Sequence, residues 1–341
     1  MSSSAGKRVV VTGATGNVGT SVVAALAADE DVASVCGLAR RTPAWSPPKT
    51  EWASVDLRED TDLVEHFEGA DAVVHLAWAF QPTHDPSATW RTNVLGSLRV
   101  FRDAAAAGVP ALVHASSVGA YSPGRDAGAV TEEWPTHGAS EAAYCREKAY
   151  LERVLDAFEL RNPGMRVVRM RPAFLFKEES GSEQRRIFGG RFLPGPLAGP
   201  RTIPVVPDIP GLRFQALHTD DAAQAYRLAV HREVSGAFNL AAESPVDARD
   251  LAALLDAKVV RMPRQAARAA LVTGYALRLV PASPQLFDAV LRLPLLDCTR
   301  ARDQLAWRPE RTALDALGEM LHGMRTGAGL DTAPLAGRKA S

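Results

Sequence analysis

The chain has little cysteine. Cys36, Cys145 and Cys298 are three residues in 341, far apart and in no C-x-x-C pair, which excludes a disulfide framework and leaves no Cys/His cluster for zinc. It also has no charge bias: Lys plus Arg and Asp plus Glu both number 39, so no overall field favours a nucleic acid or an anionic lipid surface. Long apolar runs are missing too. The most membrane-like stretch, Ala266 to Val280, carries Arg268 and Arg278 and stops at Pro281. It is too short and too charged to span a bilayer and reads as a buried or lid helix. Met1 to Arg8 leads straight into Val9-Val10-Val11 with no apolar stretch or cleavage site of a secretory signal. Together these absences imply a cytoplasmic protein with no membrane, nucleic-acid or metal partner.

What is present is an ordinary globular composition, 46% hydrophobic and 23% charged, on a chain long enough for two lobes. Short β-branched runs alternate with helical patterns: strands are expected at 8–11, 32–38, 72–76, 111–115, 166–170 and 237–240, and helices at 19–28, 62–67 and 92–107. Nearly continuous apolar strands alternating with helices imply an α/β fold with a doubly wound parallel sheet buried on both faces. Past Arg171 the alternation fails, and 188–210 is rich in Gly and Pro, the composition of long loops. A smaller, loop-rich C-terminal lobe is expected from there, and the Gly/Ala/Pro-rich residues 325–341 read as a flexible tail.

The first strand runs into Thr12-Gly13-Ala14-Thr15-Gly16-Asn17-Val18-Gly19, and a helix follows. A strand, a glycine turn and a helix N-terminus bring a pyrophosphate close to backbone N–H groups at the positive end of the helix. Gly13, Thr15, Gly16, Asn17, Val18 and Gly19 are therefore candidate dinucleotide contacts in a Rossmann-type domain. Residues 1–171 are assigned to that domain, part of 211–245 returns to it, and 172–324 form mainly the substrate lobe. At the end of the second strand the sequence is Gly37-Leu38-Ala39-Arg40-Arg41, with no carboxylate for ribose hydroxyls. Two guanidiniums there can grip a 2′-phosphate, which favours NADP and leaves NAD open; a solvated basic loop is the plainer alternative. Asp56 and Leu57 suit adenine contact or a surface turn.

Tyr144 and Lys148 are four apart in an expected helix beginning near Ser140, so they share a face. A nearby ammonium favours the phenolate of a tyrosine, whose ordinary pKa is about 10. Ser117 ends the strand expected around 111–115 at the carboxyl edge of the sheet, where open α/β folds bind ligands. Its hydroxyl can hold a carbonyl while Tyr144 moves the proton. Ser116, facing the other way, is the alternative.

With the glycine turn, Ser117 and Tyr144-x-x-x-Lys148 in this order, the chain resembles the extended short-chain dehydrogenase/reductases, the NAD-dependent epimerase/dehydratase family, over roughly residues 7 to 320. His75-Leu76-Ala77, Asn93 within Thr92-Asn93-Val94-Leu95-Gly96, Arg171-Pro172 and His218-Thr219-Asp220-Asp221 fit the same likeness. The resemblance implies hydride transfer between nicotinamide and a carbon bearing a hydroxyl or keto group. It makes Tyr144 the acid-base, Lys148 its activator and a ribose contact, and Ser117 the group that orients the substrate. Asn93 completes the catalytic set by positioning these groups or a relay water, and Leu76, Ala77 and Trp78 lie beside the cofactor. It further implies a homodimer through the flank helices around 93–107 and 144–158.

Nucleotide-sugar members carry an Asn shortly after the Arg-Pro strand, whereas this chain has Ala173-Phe174-Leu175-Phe176. Those residues either line an apolar pocket for a ketone or hydrophobic alcohol or simply pack in the core. Arg185, Arg186, Arg191 and Arg201 either bind an anion or are solvated. The leading expectation is an NAD(P)-dependent reductase or dehydrogenase. The alternatives are a nucleotide-sugar epimerase or dehydratase, and a non-catalytic NADP-binding sensor or scaffold.

Overall fold

The computed structural model, which describes residues 6–59, 62–80, 86–124, 126–189, 203–280 and 283–337, is built around one parallel sheet. Its strands are β1 (Lys7–Thr12), β2 (Val32–Ala39), β3 (Thr50–Ser54), β4 (Ala72–His75), β5 (Ala111–Ala115), β6 (Arg166–Pro172) and β7 (Gly236–Leu240). In space they run β7-β6-β5-β4-β1-β2-β3, all neighbours parallel. Strand order reverses between β1 and β4, so the crevice at their carboxyl ends is the place for a ligand.

The period of two along each strand divides the core. Val9 and Val11 face one layer, where Val22, Val23 and Leu26 of α1 (Asn17–Ala27) and Ala222, Tyr226 and Ala229 of α4 (Thr219–His231) cover them. Val10, Val73, Leu112 and Val167 face the other, under Val100 and Phe101 of α2 (Gly96–Ala106) and Leu151 and Leu155 of α3 (Ala143–Arg161). Each valine of β1 is fully buried, and at about 2 kcal/mol per buried aliphatic side chain this strand alone is a substantial anchor.

The second lobe has its own core of Phe176, Val246, Leu317, Met320 and Met324, the last three from α5 (Ala313–Thr326). Short pairs extend it: Phe174–Phe176 with Ala216–His218, and Val205–Asp208 with Lys258–Arg261, both parallel.

Four expectations differ from the structure. Strand β3 has no counterpart in the sequence reading because it is a half-exposed edge, held mainly by Trp52 against Gly37 and Trp45. The helix expected over 92–107 is broken: Arg91–Leu95 forms a π-turn before α2 begins. The segment read as a buried or lid helix is Arg264–Ala276, and none of its residues is buried, which overturns the buried alternative. Finally, the described part of the stretch expected to be a flexible tail, residues 325–337, continues α5 to Thr326 and then folds back: Leu335 is fully buried and Thr332 donates to the Thr15 carbonyl at 2.9 Å. Arg191 and Arg201 lie outside the described residues. No described helix is long and apolar enough to cross a membrane, and no group of three or more metal-ligating side chains occurs among the described residues.

Candidate active site

The glycine turn is shaped by close backbone approach. Gly13 has φ +69°, and a Cβ there would lie 2.5 Å from the Ala77 nitrogen. Gly19 packs on the Gly13 carbonyl, which any side chain would strike. At Gly16 an added Cβ would meet only the Gly13 oxygen, at 3.4 Å, so that face of the turn is open. Gly16 is also the N-cap of α1 and makes no side-chain capping bond, leaving the first amides of the helix available to an anion. The turn therefore fits a pyrophosphate. Thr15 is buried, Val18 packs on the core, and the Asn17 amide donates to the Leu175 carbonyl at 3.0 Å while its Oδ1 is buried without a partner.

Arg40 and Arg41 stand exposed at the end of β2. Asp56 is held by Arg58 through Nε at 3.0 Å, and the Arg58 hydrogen bond keeps its carboxyl below the ordinary carboxylate range. The Leu57 carbonyl accepts from Arg99 at 2.6 Å.

At the other end of the crevice, β5 delivers two serines to opposite faces. Ser117 Oγ accepts from the Gly119 amide at 2.9 Å and borders Gly119 on the same side as the Tyr144 ring. Ser116 Oγ donates to Glu152 at 2.5 Å, inside a buried network in which Glu152 also pairs with Arg169 and Arg171. Ser117 is thus the serine on the Tyr144 side, and Ser116 is tied into the buried ion network.

Tyr144 lies against Gly119, where a Cβ would come within 2.7 Å of its ring, and is met edge-on by Phe80 at 5.0 Å and Trp78 at 5.8 Å. Burial raises its pKa above the ordinary tyrosine value, and the Ser117 side chain only partly offsets this. Lys148 is 3% exposed. Its ammonium donates to the Ala115 carbonyl at 2.6 Å and sits 3.4 Å from the Trp78 ring centroid, a cation–π contact. Burial brings its pKa down to about 7. The expected lowering of the Tyr144 pKa by Lys148 is absent in this arrangement, because the ammonium is turned to Ala115 and Trp78.

Asn93 is not at the phenol. Its Oδ1 accepts from the Ala79 amide at 2.7 Å and its Nδ2 donates to Glu147 at 2.7 Å. Leu76 and Ala77 follow β4, whose His75 bridges Thr12 and Ser97 at 2.6 and 2.8 Å and is kept neutral by burial, with its pKa pushed down to about 3. His218 accepts from the Asp220 amide at the start of α4. Phe174 and Phe176 stack and pack with Phe214 in the second-lobe core.

Ser117, Tyr144, Lys148 and Trp78 are therefore brought together, while Arg40 and Arg41 mark the far end of the same sheet edge. Phe80, Gly119 and Glu147 also belong to the site and were missed. Only Glu147 left a signal, as a carboxylate on the face of α3 that carries Tyr144 and Lys148.

A profile of the NAD dependent epimerase/dehydratase family matches residues 9–241. An L-arabinose 1-dehydrogenase (NAD(P)(+)) of Haloferax volcanii is 37% identical over 110 residues, 32% of this chain and 41% of that protein. An uncharacterized Mycobacterium tuberculosis protein is 26% identical over 325 residues, 95% of this chain and 31% of that one. The chain thus spans well under half of the curated relatives it matches. Among solved structures, MoeE5 in complex with UDP-glucuronic acid and NAD superposes with a TM-score of 0.69 at 20% identity, covering 94% of this chain and 99% of that one.

Proposed function

The chain belongs to the NAD dependent epimerase/dehydratase family, and from that premise we propose that it is an NAD(P)-dependent oxidoreductase, preferring NADP, that acts on a carbonyl or secondary alcohol. The observation that carries the reading is the meeting of Ser117, Tyr144 and buried Lys148 at the carboxyl edge of the sheet, beside an open glycine turn.

In this reading Gly13, Gly16, Gly19 and the amides of Asn17 and Val18 hold the pyrophosphate, and Thr15 supports their turn. Arg40 and Arg41 hold the 2′-phosphate, Asp56 and Leu57 flank the adenine, and Leu76, Ala77, Trp78 and Lys148 flank the nicotinamide ribose. When bound, the nicotinamide gives or takes the hydride. Ser117 orients the substrate oxygen. Tyr144, held protonated by burial, is in the state needed to hand that oxygen a proton in the reductive direction. Lys148, whose ammonium is turned to Ala115 and Trp78, acts in this reading as the ribose contact and not as the activator of the phenol. Phe80 and Trp78 keep water from the phenol and present an apolar wall, which favours an apolar carbonyl over a sugar. A homodimer on α2 and α3 is part of the same reading, supported by exposed Leu95, Tyr150 and Leu160 on that flank.

Fluorescence titration of the purified protein with NADPH and NADH tests the cofactor assignment. NADPH is expected to bind at least ten times more tightly, and Arg40→Ala with Arg41→Ala to erase the difference. Equal affinity in the wild type would overturn the NADP preference.

A further inference from the structure

Glu147 is an acid in an expensive place. It is 2% exposed on α3, three residues after Tyr144 and one before Lys148. Both carboxylate oxygens accept from neutral donors: Oε1 from Thr89 Oγ1 at 2.6 Å and Oε2 from Asn93 Nδ2 at 2.7 Å. Among the described residues it forms no ion pair within 4 Å. Neutral hydrogen bonds alone repay the desolvation of a carboxylate poorly. An amide would fill the same space and keep both bonds, so packing does not explain why a charge is buried here.

What it adjoins does explain it. By fixing the Asn93 amide group, Glu147 sets which end faces the loop after β4, and Asn93 Oδ1 then anchors the Ala79 amide. Ala79 lies between Trp78 and Phe80, the two rings set edge-on against Tyr144. The π-turn that contains Asn93 packs on α3, so helix, turn and loop form one clamp. The next residue is Lys148, whose ammonium is buried.

Resting on the reductase reading, we infer that Glu147 is a positioning residue: it locks the Asn93–Ala79 clamp that seats Trp78 and Phe80 on Tyr144, and it is a buried counter-charge that keeps Lys148 an ammonium. The other groups around Lys148 leave that second role to the acids. His75 from β4 and His114 from β5 are held neutral by burial, and so is Tyr144. Glu147 and Glu152, both on α3, oppose the desolvation that would discharge Lys148, and Glu147 also disfavours ionisation of Tyr144. Glu152 is already engaged by Arg169 and Arg171; Glu147 has no such cation.

The test is NADH affinity against pH, read by nucleotide fluorescence in the intact protein, with NADH chosen because it lacks the titrating 2′-phosphate. In Glu147→Gln the amide oxygen accepts from Asn93 and its NH2 donates to Thr89, so geometry is kept and charge removed. The alkaline loss of affinity is expected about one pH unit lower than in the wild type, the size of a single neighbouring charge. Glu147→Asp keeps the charge and is expected to keep the wild-type midpoint. A Glu147→Gln protein with an unmoved midpoint, whatever its melting temperature, overturns the inference, as does Glu147→Asp shifting as far as Glu147→Gln. Should Glu147→Gln not fold, a Glu147→Asp midpoint at the wild-type value supports the inference and a shifted one overturns it. A wild type that binds neither NADH nor NADPH overturns the reductase reading itself, and is distinguishable because it appears before any substitution is made.

Discussion

Lys148 should destabilise the fold that holds it, and the amount can be worked out. Burial brings its pKa down from 10.5 to about 7, so between those values the unfolded chain binds a proton that the folded protein does not. Stability therefore rises with pH across this window and is lowest below it, where both states are protonated and the folded one holds a charge out of water. With 1.36 kcal/mol per pKa unit, the penalty falls by roughly 2 kcal/mol between pH 7 and pH 9. Lys148→Met removes the titration and keeps the length of the side chain. Its loss of the Ala115 hydrogen bond and the Trp78 contact lowers stability as well, and the part of that loss which depends on the charge is already contained in the folded pKa. Urea unfolding of both proteins at pH 7, 8 and 9 should give free energies whose difference moves by roughly 2 kcal/mol toward the wild type as pH rises. Parallel pH dependences would refute the reasoning, because they would mean that Lys148 is solvated or fully compensated. A lysine that weakens the fold is intelligible at a site where its charge is used.

Four other substitutions follow from the geometry. Gly19→Ala drives a methyl into the Gly13 carbonyl, so the turn must shift; NADPH affinity is expected to fall at least tenfold and the melting temperature to drop, both measurable in one fluorescence titration and one thermal scan. Ser116→Ala takes a hydrogen bond from a buried, charged Glu152 and should cost about 1.5–3 kcal/mol of stability while leaving cofactor binding intact. Ser117→Ala leaves the buried Gly119 amide without its acceptor, at a cost of about 1–3 kcal/mol, and should in addition lower hydride turnover about a hundredfold, as measured by NADPH absorbance. Glu152→Ala strands Arg171, while Arg169 keeps Asp156 and Glu159, and should destabilise by about 3–5 kcal/mol in urea unfolding.

The first half of the fold was legible because its strands are buried on both faces and read as unbroken apolar runs, as in Val9-Val10-Val11. Edge strand β3 was not, since Thr50–Ser54 is half exposed and its anchor, Trp52 on Gly37, is a tertiary contact. The order of the C-terminal segment was invisible for a related reason: Thr332 is fixed by the Thr15 carbonyl, 317 positions away, and composition reports only local preference. At the site, Tyr144 and Lys148 could be paired by helical spacing. The choice between Ser116 and Ser117 needed only the alternation of a strand plus one long-range partner, Glu152. Asn93 was read as part of the reacting set, yet the structure turns its amide to Ala79 and Glu147, because the acid that captures it lies 54 residues away. Phe80 was missed because an aromatic after β4 has no sequence signature until the loop folds onto Tyr144.

The most direct test follows deuterium from 4-deuterated NADPH into a panel of apolar ketones and aldehydes, read by mass spectrometry, with wild type and Tyr144→Phe compared at saturating nucleotide. Wild-type protein should place the label on the carbinol carbon of a panel member. Tyr144→Phe, which removes only the hydroxyl beside Ser117, should bind NADPH equally well and transfer label at least a hundred times more slowly. Equal transfer by the two proteins would contradict the assignment of Tyr144 as the proton donor, and with it the mechanism built on Ser117, Tyr144 and Lys148.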